Sequence, residues 1–259
     1  MALITFLSDY GWRDPYVAAI KARILSRTPL QPIIDISHEI EACDLAHGAY
    51  VLRSVFRDFP KGTVHMVAVD GSAPPQRPFV AVALEDHFFI GPDNGILSLL
   101  SEEQPTAVHQ LPSLDIPSTF PEKYIFPEAA VKLVTEQKMD GVGIPYEEGL
   151  RRLIDRKPRA NRQLILGAVI QVDHYGNLIT NISQQEFDIL SKNKSYTIKF
   201  GREVMPRVQQ YFQEADPGDC FLVFNSLGLL QIGINQGNAS ELLGLNYDSP
   251  VSIEFQGGE

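Results

Sequence analysis

The chain has 259 residues, 44% apolar and 21% charged, the composition of a folded globular protein with room for one large domain or two modest ones, which excludes a disordered chain. Its formal net charge of -10 excludes a protein whose main work is neutralising nucleic-acid phosphates, because that work needs a basic footprint. No apolar run reaches the roughly 18 residues of a membrane span, Cys43 and Cys220 are too few and too far apart for a disulfide framework, and no leader-like pattern opens the chain, so the expected compartment is the cytoplasm with neither membrane nor nucleic acid as partner.

In chain order, Leu3-Ile4-Thr5-Phe6-Leu7 is a β-prone run closed by Ser8-Asp9-Tyr10-Gly11, with Asp14 just beyond it. Two carboxylates thus stand at the carboxyl end of a strand, the rim where open α/β sheets bind small molecules. Tyr16 to Leu25 has helical spacing, Pro32 to Ile36 is strand-like, and Asp44 to Phe56 is a helix opening on an acidic residue. Thr63 to Val69 and Phe79 to Leu84 are strands, and Phe126 to Thr135 is a further helix. Strands alternating with helices predict βαβ units and a largely parallel sheet.

From Asp140 to Asn161 glycines, prolines and a crowd of arginines break the pattern, which predicts a linker with a solvated basic face. Beyond it, strand-like runs at Leu164–Val172, Ser195–Phe200, Phe221–Phe224, Leu229–Ile234 and Val251–Phe255 follow one another with little helix between them. That is the spacing of a small β-barrel or sandwich. The expected division is residues 1–158 as an N-terminal α/β domain and 159–259 as a smaller C-terminal β domain.

A second acidic turn, Asp173-His174-Tyr175-Gly176-Asn177, follows Val169 to Val172. Two such rims far apart in sequence predict a site assembled between two domains or two subunits. No Walker loop, GxGxxG, HExxH, paired CxxC or GxSxG stands in the chain, so the usual phosphate cradles, zinc sites and serine elbows are missing. His38, Asp44 and His47 do not have a recognised metal spacing and read as structural. Asp70 ends a strand, with Arg77 in the loop that follows. The pair can orient a water and stabilise charge developing on it, or can simply be an ion pair that stiffens the loop. Gly91-Pro92-Asp93-Asn94-Gly95 reads first as a tight turn, with a turn that also lines a pocket as the second reading. Tyr211-Phe212 can stack on a base, though a buried aromatic in a small β domain is the commoner use, and Asn225-Ser226 and Asn238-Ala239 put amides and hydroxyls near strand ends, where they can read a ligand or serve only their turns.

Together these segments resemble the S-adenosyl-L-methionine hydroxide adenosyltransferase family, which is related to the fluorinating and chlorinating enzymes. The resemblance rests on Thr5 to Gly11 with Asp14 to Val17, Asp35 to Ile40, Phe59 to His65, Gly91 to Gly95, Asp173 to Asn177 with Thr180 to Ile182, and Asn225-Ser226 through Asn238-Ala239. It implies an N-terminal α/β domain, a C-terminal β-barrel-like domain and a homotrimer whose site lies where one subunit's first domain meets its neighbour's second. It further implies that Asp9 holds the ribose diol, Asp14 and Asp173 the methionine ammonium, Asn177 the adenine edge, Phe212 the adenine face and Ser226 the methionine carboxylate, with Asn238 among the binding residues.

The activity implied is hydrolysis of S-adenosyl-L-methionine to adenosine and L-methionine, water attacking ribose C5′ in line with the departing sulfur. A sulfonium is already a good leaving group, so no metal or organic cofactor is required. Asp70 and Arg77 match the family's water-positioning pair in place and spacing. The family's histidine is replaced: its Thr-Phe-His-Gly segment reads Thr119-Phe120-Pro121-Glu122 here. Pro121 cannot carry a proton, and sequence places neither His109 nor Glu122 near C5′. Two rivals therefore stay open, a halide in place of water as nucleophile and a non-catalytic binder of S-adenosyl-L-methionine or adenosine.

Overall fold

The computed structural model describes residues 2–71, 77–115, 117–154 and 156–257. They form two compact units, Met1–Ile154 and Asp155–Glu259.

The first unit contains strands β1 (Ile4–Ser8), β2 (Ile33–Ser37), β3 (Val64–Ala68), β4 (Phe79–Leu84), β5 (His87–Pro92), β6 (Ala107–Gln110) and β7 (Ile144–Pro145), with helices α1 (Tyr16–Leu25), α2 (Leu45–Val55) and α3 (Glu122–Glu136). Among the described residues the sheet order is β2-β1-β3-β5-β4-β6-β7. It is mixed. The β2-β1-β3-β5 half is parallel, as the strand-helix alternation predicts, whereas β5-β4, β4-β6 and β6-β7 are antiparallel. The reason is local: Glu85 and Asp86 both adopt positive φ (49° and 62°), so β4 and β5 are joined by a two-residue hairpin instead of a crossover helix.

Both faces of the parallel half are covered. On β1 and β3, Ile4, Phe6, Met66 and Ala68 pack with residues of α1 and α3, while Leu7, Val67 and Val69 pack with Ala49 and Leu52 of α2. This is the alternation a strand buried on both faces requires. Each large side chain removed from water here contributes roughly 1.5–3 kcal/mol.

Helix α3 begins four residues before its predicted start. Pro121 occupies its N-cap position, and Pro127 lies within it, buried. A proline near a helix start forfeits few hydrogen bonds, so neither proline ends the helix. The stretch expected to be a linker is mostly exposed but is tied to the first unit at three points. Tyr146 Oη and the Arg151 amide donate to the Asp93 carboxylate (3.0 and 2.8 Å), and the Leu153 amide donates to Ser98 Oγ (3.0 Å). Asp93 of the predicted tight turn is thereby a buried anchor for this segment.

The second unit contains β8 (Arg159–Ala160), β9 (Leu164–Val172), β10 (Leu178–Ser183), β11 (Ser195–Phe200), β12 (Glu203–Met205), β13 (Cys220–Phe224), β14 (Leu229–Ile234) and β15 (Pro250–Gln256), with helices α4 (Gln184–Ser191) and α5 (Ala239–Leu243). The described strands run β12-β11-β15-β9-β10-β14-β13, with β8 beside β9, and every pairing is antiparallel. The sheet curls into a half-barrel around Ile165, Leu178, Ile198, Leu222, Ile232 and Ile253. Helix α4 was not predicted, although its signal is present: Ser183 caps it by accepting from the Glu186 amide at 3.2 Å, a Ser-x-x-Glu spacing. Among the described residues no helix is long and apolar enough to cross a membrane.

Candidate functional site

The carboxyl ends of β1 and β3 are adjacent in the parallel half, so the turns that follow them meet. Asp9 Oδ2 accepts two backbone hydrogen bonds, from the Asp70 amide (3.0 Å) and from the Cys43 amide (3.0 Å). One carboxylate oxygen thus ties the β1 turn to the end of β3 and to the turn before α2.

The β1 turn is fixed from beneath by a buried polar chain. Ser8 Oγ lies 2.6 Å from His38 Nδ1, His38 Nε2 lies 3.1 Å from Asp35 Oδ1, and Lys21 pairs with Asp35 at 2.5 Å. Burial pushes the His38 pKa down, against the opposing pull of Asp35. The Gly11 amide donates to the His38 carbonyl (2.8 Å) at φ +67°, a conformation suited to glycine. His38 and Asp44 therefore have structural roles, Asp44 as the cap of α2 through the His47 amide (2.9 Å). Among the described residues no group of three potential metal ligands occurs.

Asp70 sits in the left-handed region (φ 50°), and the fully buried side chain of Asn94 holds this bend. Asn94 Nδ2 donates to the carbonyls of Val69 (2.9 Å) and Asp70 (3.5 Å), and its Oδ1 accepts from the Ile96 amide (3.1 Å). Asn94 is a positioning residue that sequence reasoning reads only as part of a turn. Ser72, Ala73, Pro74, Pro75 and Gln76, the loop between Asp70 and Arg77, lie outside the described residues. Arg77 is half-buried just before β4. Local desolvation and then the negative charges of Asp70 and Asp9 push the pKa of the exposed Cys43 thiol up.

Asp14 is exposed ahead of α1. Between it and Asp9 an aromatic wall is formed by Tyr10, Tyr16 and Phe120, with ring centroids 5.1–5.6 Å apart. Behind the wall, Glu122 is only 3% exposed, and its Oε1 would stand 2.0 Å from a Cβ placed on Gly71, so the carboxyl lies against the backbone that follows Asp70.

In the second unit Asp173 organises its own turn. Its Oδ1 accepts from the amides of Tyr175 and Asn177 (both 2.9 Å) and its Oδ2 from Asn177 Nδ2 (2.9 Å). Asn238 joins this group. Its Oδ1 caps α5 through the Glu241 amide (3.1 Å) and lies 2.0 Å from the position a Cβ would take on Gly176. Phe212, half exposed, leans on Phe221 (5.9 Å), and Phe221 and Asn177 both crowd the same side of Gly233. The fold thus gathers Asp173, Asn177, Phe212 and Asn238 at one end of β14. Ser226 is in the turn before β14, at the strand's opposite end and exposed.

Gly176 has φ +80° as well as no room for a Cβ. Gly176→Ala is expected to cost about 1–3 kcal/mol in unfolding free energy through combined strain and displacement of Asn238. Urea denaturation measures it, and a change below half a kcal/mol would contradict the described packing.

Comparison with known proteins places these features in a wider setting. Residues 4–143 match the model of the SAM hydroxide adenosyltransferase N-terminal domain, and residues 167–252 match that of its C-terminal domain. The chain is 31% identical to the (R)-S-adenosyl-L-methionine hydrolase of Thermus thermophilus, over 98% of this chain and all of that one. It is 28% identical to a fluorinase of Nocardia brasiliensis, covering 99% of this chain and 97% of the relative. Among solved structures, a conserved protein of Thermotoga maritima superposes with a TM-score of 0.88 at 30% identity, covering 97% of this chain and 99% of that one.

Proposed function

This chain belongs to the SAM hydroxide adenosyltransferase family, and from that premise we propose that it hydrolyses S-adenosyl-L-methionine to adenosine and L-methionine. The observation that carries the reading is similarity to named hydrolases along essentially the whole of both chains. The chemistry suits the residues present. The substrate carries a sulfonium and an ammonium, and the acidic turns at Asp9, Asp14 and Asp173 supply opposite charge. Asp9 takes the ribose hydroxyls, Asp14 and Asp173 the ammonium, Asn177 and Phe212 the adenine, and Asn238 supports the Asn177 turn. Ser226 lies at the other end of β14 from Asp173 and Asn177, and the methionine ammonium and carboxylate share one carbon, so Asp173 and Ser226 of one protomer do not both hold the same methionine.

Asp70 and Arg77 position the attacking water. Held in line behind C5′, water attacks without an acid at the leaving group, because the thioether departs without protonation. The protein works in the cytoplasm as a homotrimer, for which light scattering should return three times the 28.9 kDa chain mass.

Incubation with S-adenosyl-L-methionine in ¹⁸O-water is expected to give methionine and adenosine labelled at the 5′ oxygen. Absence of both products above the uncatalysed rate overturns the reading. The fluorinase relatives make a halide nucleophile the second reading, and a 5′-halo-5′-deoxyadenosine formed on adding chloride or fluoride would favour it. Calorimetric binding without any product over hours would favour the non-catalytic binder.

A further inference from the structure

A carboxyl buried without a cation is costly, and proteins rarely keep one for stability alone. Glu122 is such a group. It is the first residue of α3, 3% exposed, and among the described residues the charge that acts on it is the negative one of Asp9, with the neutral Tyr10 phenol beside it. Its Oε1 is pressed against Gly71, the residue after Asp70, at a point where any larger side chain would displace it. The Tyr10 hydroxyl is buried, acts on the Glu122 carboxyl and has no other hydrogen-bond partner among the described residues. Asp9 binds the Asp70 amide on the same strand end. A carboxyl, an otherwise unpartnered hydroxyl and the turn bearing Asp70 therefore converge on one spot at the end of β1 and β3. His109 offers no equivalent: it stands on β6 opposite Ala81 and Pro145, in the antiparallel half of the sheet.

We propose that Glu122 is the base that removes the proton from the water attacking C5′, an inference that rests on the hydrolase reading above. The oxygen of water forms its bond to C5′ as the C5′–S bond breaks. The bonding pair goes to sulfur, which leaves as the neutral thioether of methionine. The protonated 5′ oxygen then gives one proton to the Glu122 carboxylate, completing adenosine, and Glu122 returns it to solvent between turnovers. Tyr10 orients the carboxylate through its hydroxyl. Burial pushes the Glu122 pKa up to about 7, with Asp9 adding to the rise, while the Glu122 amide and the Tyr10 hydroxyl oppose it. A base with that affinity is matched to the work at neutral pH.

The test is the pH–rate profile of adenosine release for wild type, Glu122→Gln and Glu122→Asp, with substrate binding measured by calorimetry in each. Wild-type kcat should rise about tenfold per unit below pH ~7 and level above it, while Glu122→Gln should lose the step and about a hundredfold in kcat, with Kd within about threefold. Glu122→Asp should keep the step at a lower plateau. Gly71→Ala, which displaces the carboxyl without removing it, should reproduce the loss. Retention by Glu122→Gln of a third of the wild-type kcat, or of the pH step, overturns the inference and leaves hydrolysis standing. A wild type that releases no adenosine at any pH overturns hydrolysis first and this inference with it. Retained binding separates each result from a failure to fold.

Discussion

Asp70→Asn is expected to slow adenosine release about a hundredfold while S-adenosyl-L-methionine binding changes by no more than about threefold. Asparagine is the informative replacement because Asp70 sits at φ 50°, where asparagine is tolerated and alanine adds strain. The Asn94 and Asp9 hydrogen bonds to the Asp70 backbone survive the change, so what is lost is the charge that aligns the water. Arg77→Gln is expected to act in the same direction, since a guanidinium can hold the oxygen of water while its proton departs. A variant that instead raises KM with kcat unchanged would move Asp70 from water positioning to substrate binding.

Much of this arrangement is legible in the residues. Runs such as Ile4 to Ser8 and Val64 to Ala68 are buried along their whole length, so continuous apolarity identified them as inner strands, and Asp9 and Asp70 followed as strand-end carboxylates. What escaped is what depends on partners distant in sequence. Nothing local in Glu85-Asp86 announces a hairpin, because both residues take positive φ without the usual glycine or asparagine, and the antiparallel half of the sheet went unseen with it. Asn94 looks like a turn residue until its amide is seen bound to the end of β3. Glu122 looks like an ordinary first-turn acid of a helix, and only the fold reveals it pressed against Gly71. The acidic turn at Asp173 was visible, yet the service its oxygens give to their own backbone was not.

Buried titratable groups also predict an unusual acid response. Thr5 Oγ1, His65 and His87 form a chain in the first unit's core, with Thr5 Oγ1 to His65 Nδ1 at 2.7 Å and His65 Nε2 to His87 Nδ1 at 3.0 Å. Burial, then the neighbouring His87, lowers the His65 pKa to about 3. Below pH 6.5 the unfolded chain takes up a proton that folded His65 refuses, so stability falls by about 1.4 kcal/mol per pH unit until about pH 3. Glu122 has the opposite sign. Its raised pKa means that the folded state binds the extra proton between pH 7 and 4.5, so stability rises over that window by about the same amount per unit. Glu122 thus offsets His65 from pH 6.5 to 4.5, while burial lowers the His38 and His87 pKa values as well and adds to the loss on acidification. Wild-type unfolding free energy should therefore fall less steeply across that window than it would without Glu122. Glu122→Gln removes one side of the balance and should lose about 2–3 kcal/mol more than wild type between pH 6.5 and 4.5. Urea titrations at those two pH values measure the difference, and parallel behaviour of the two proteins would refute the assignment of Glu122.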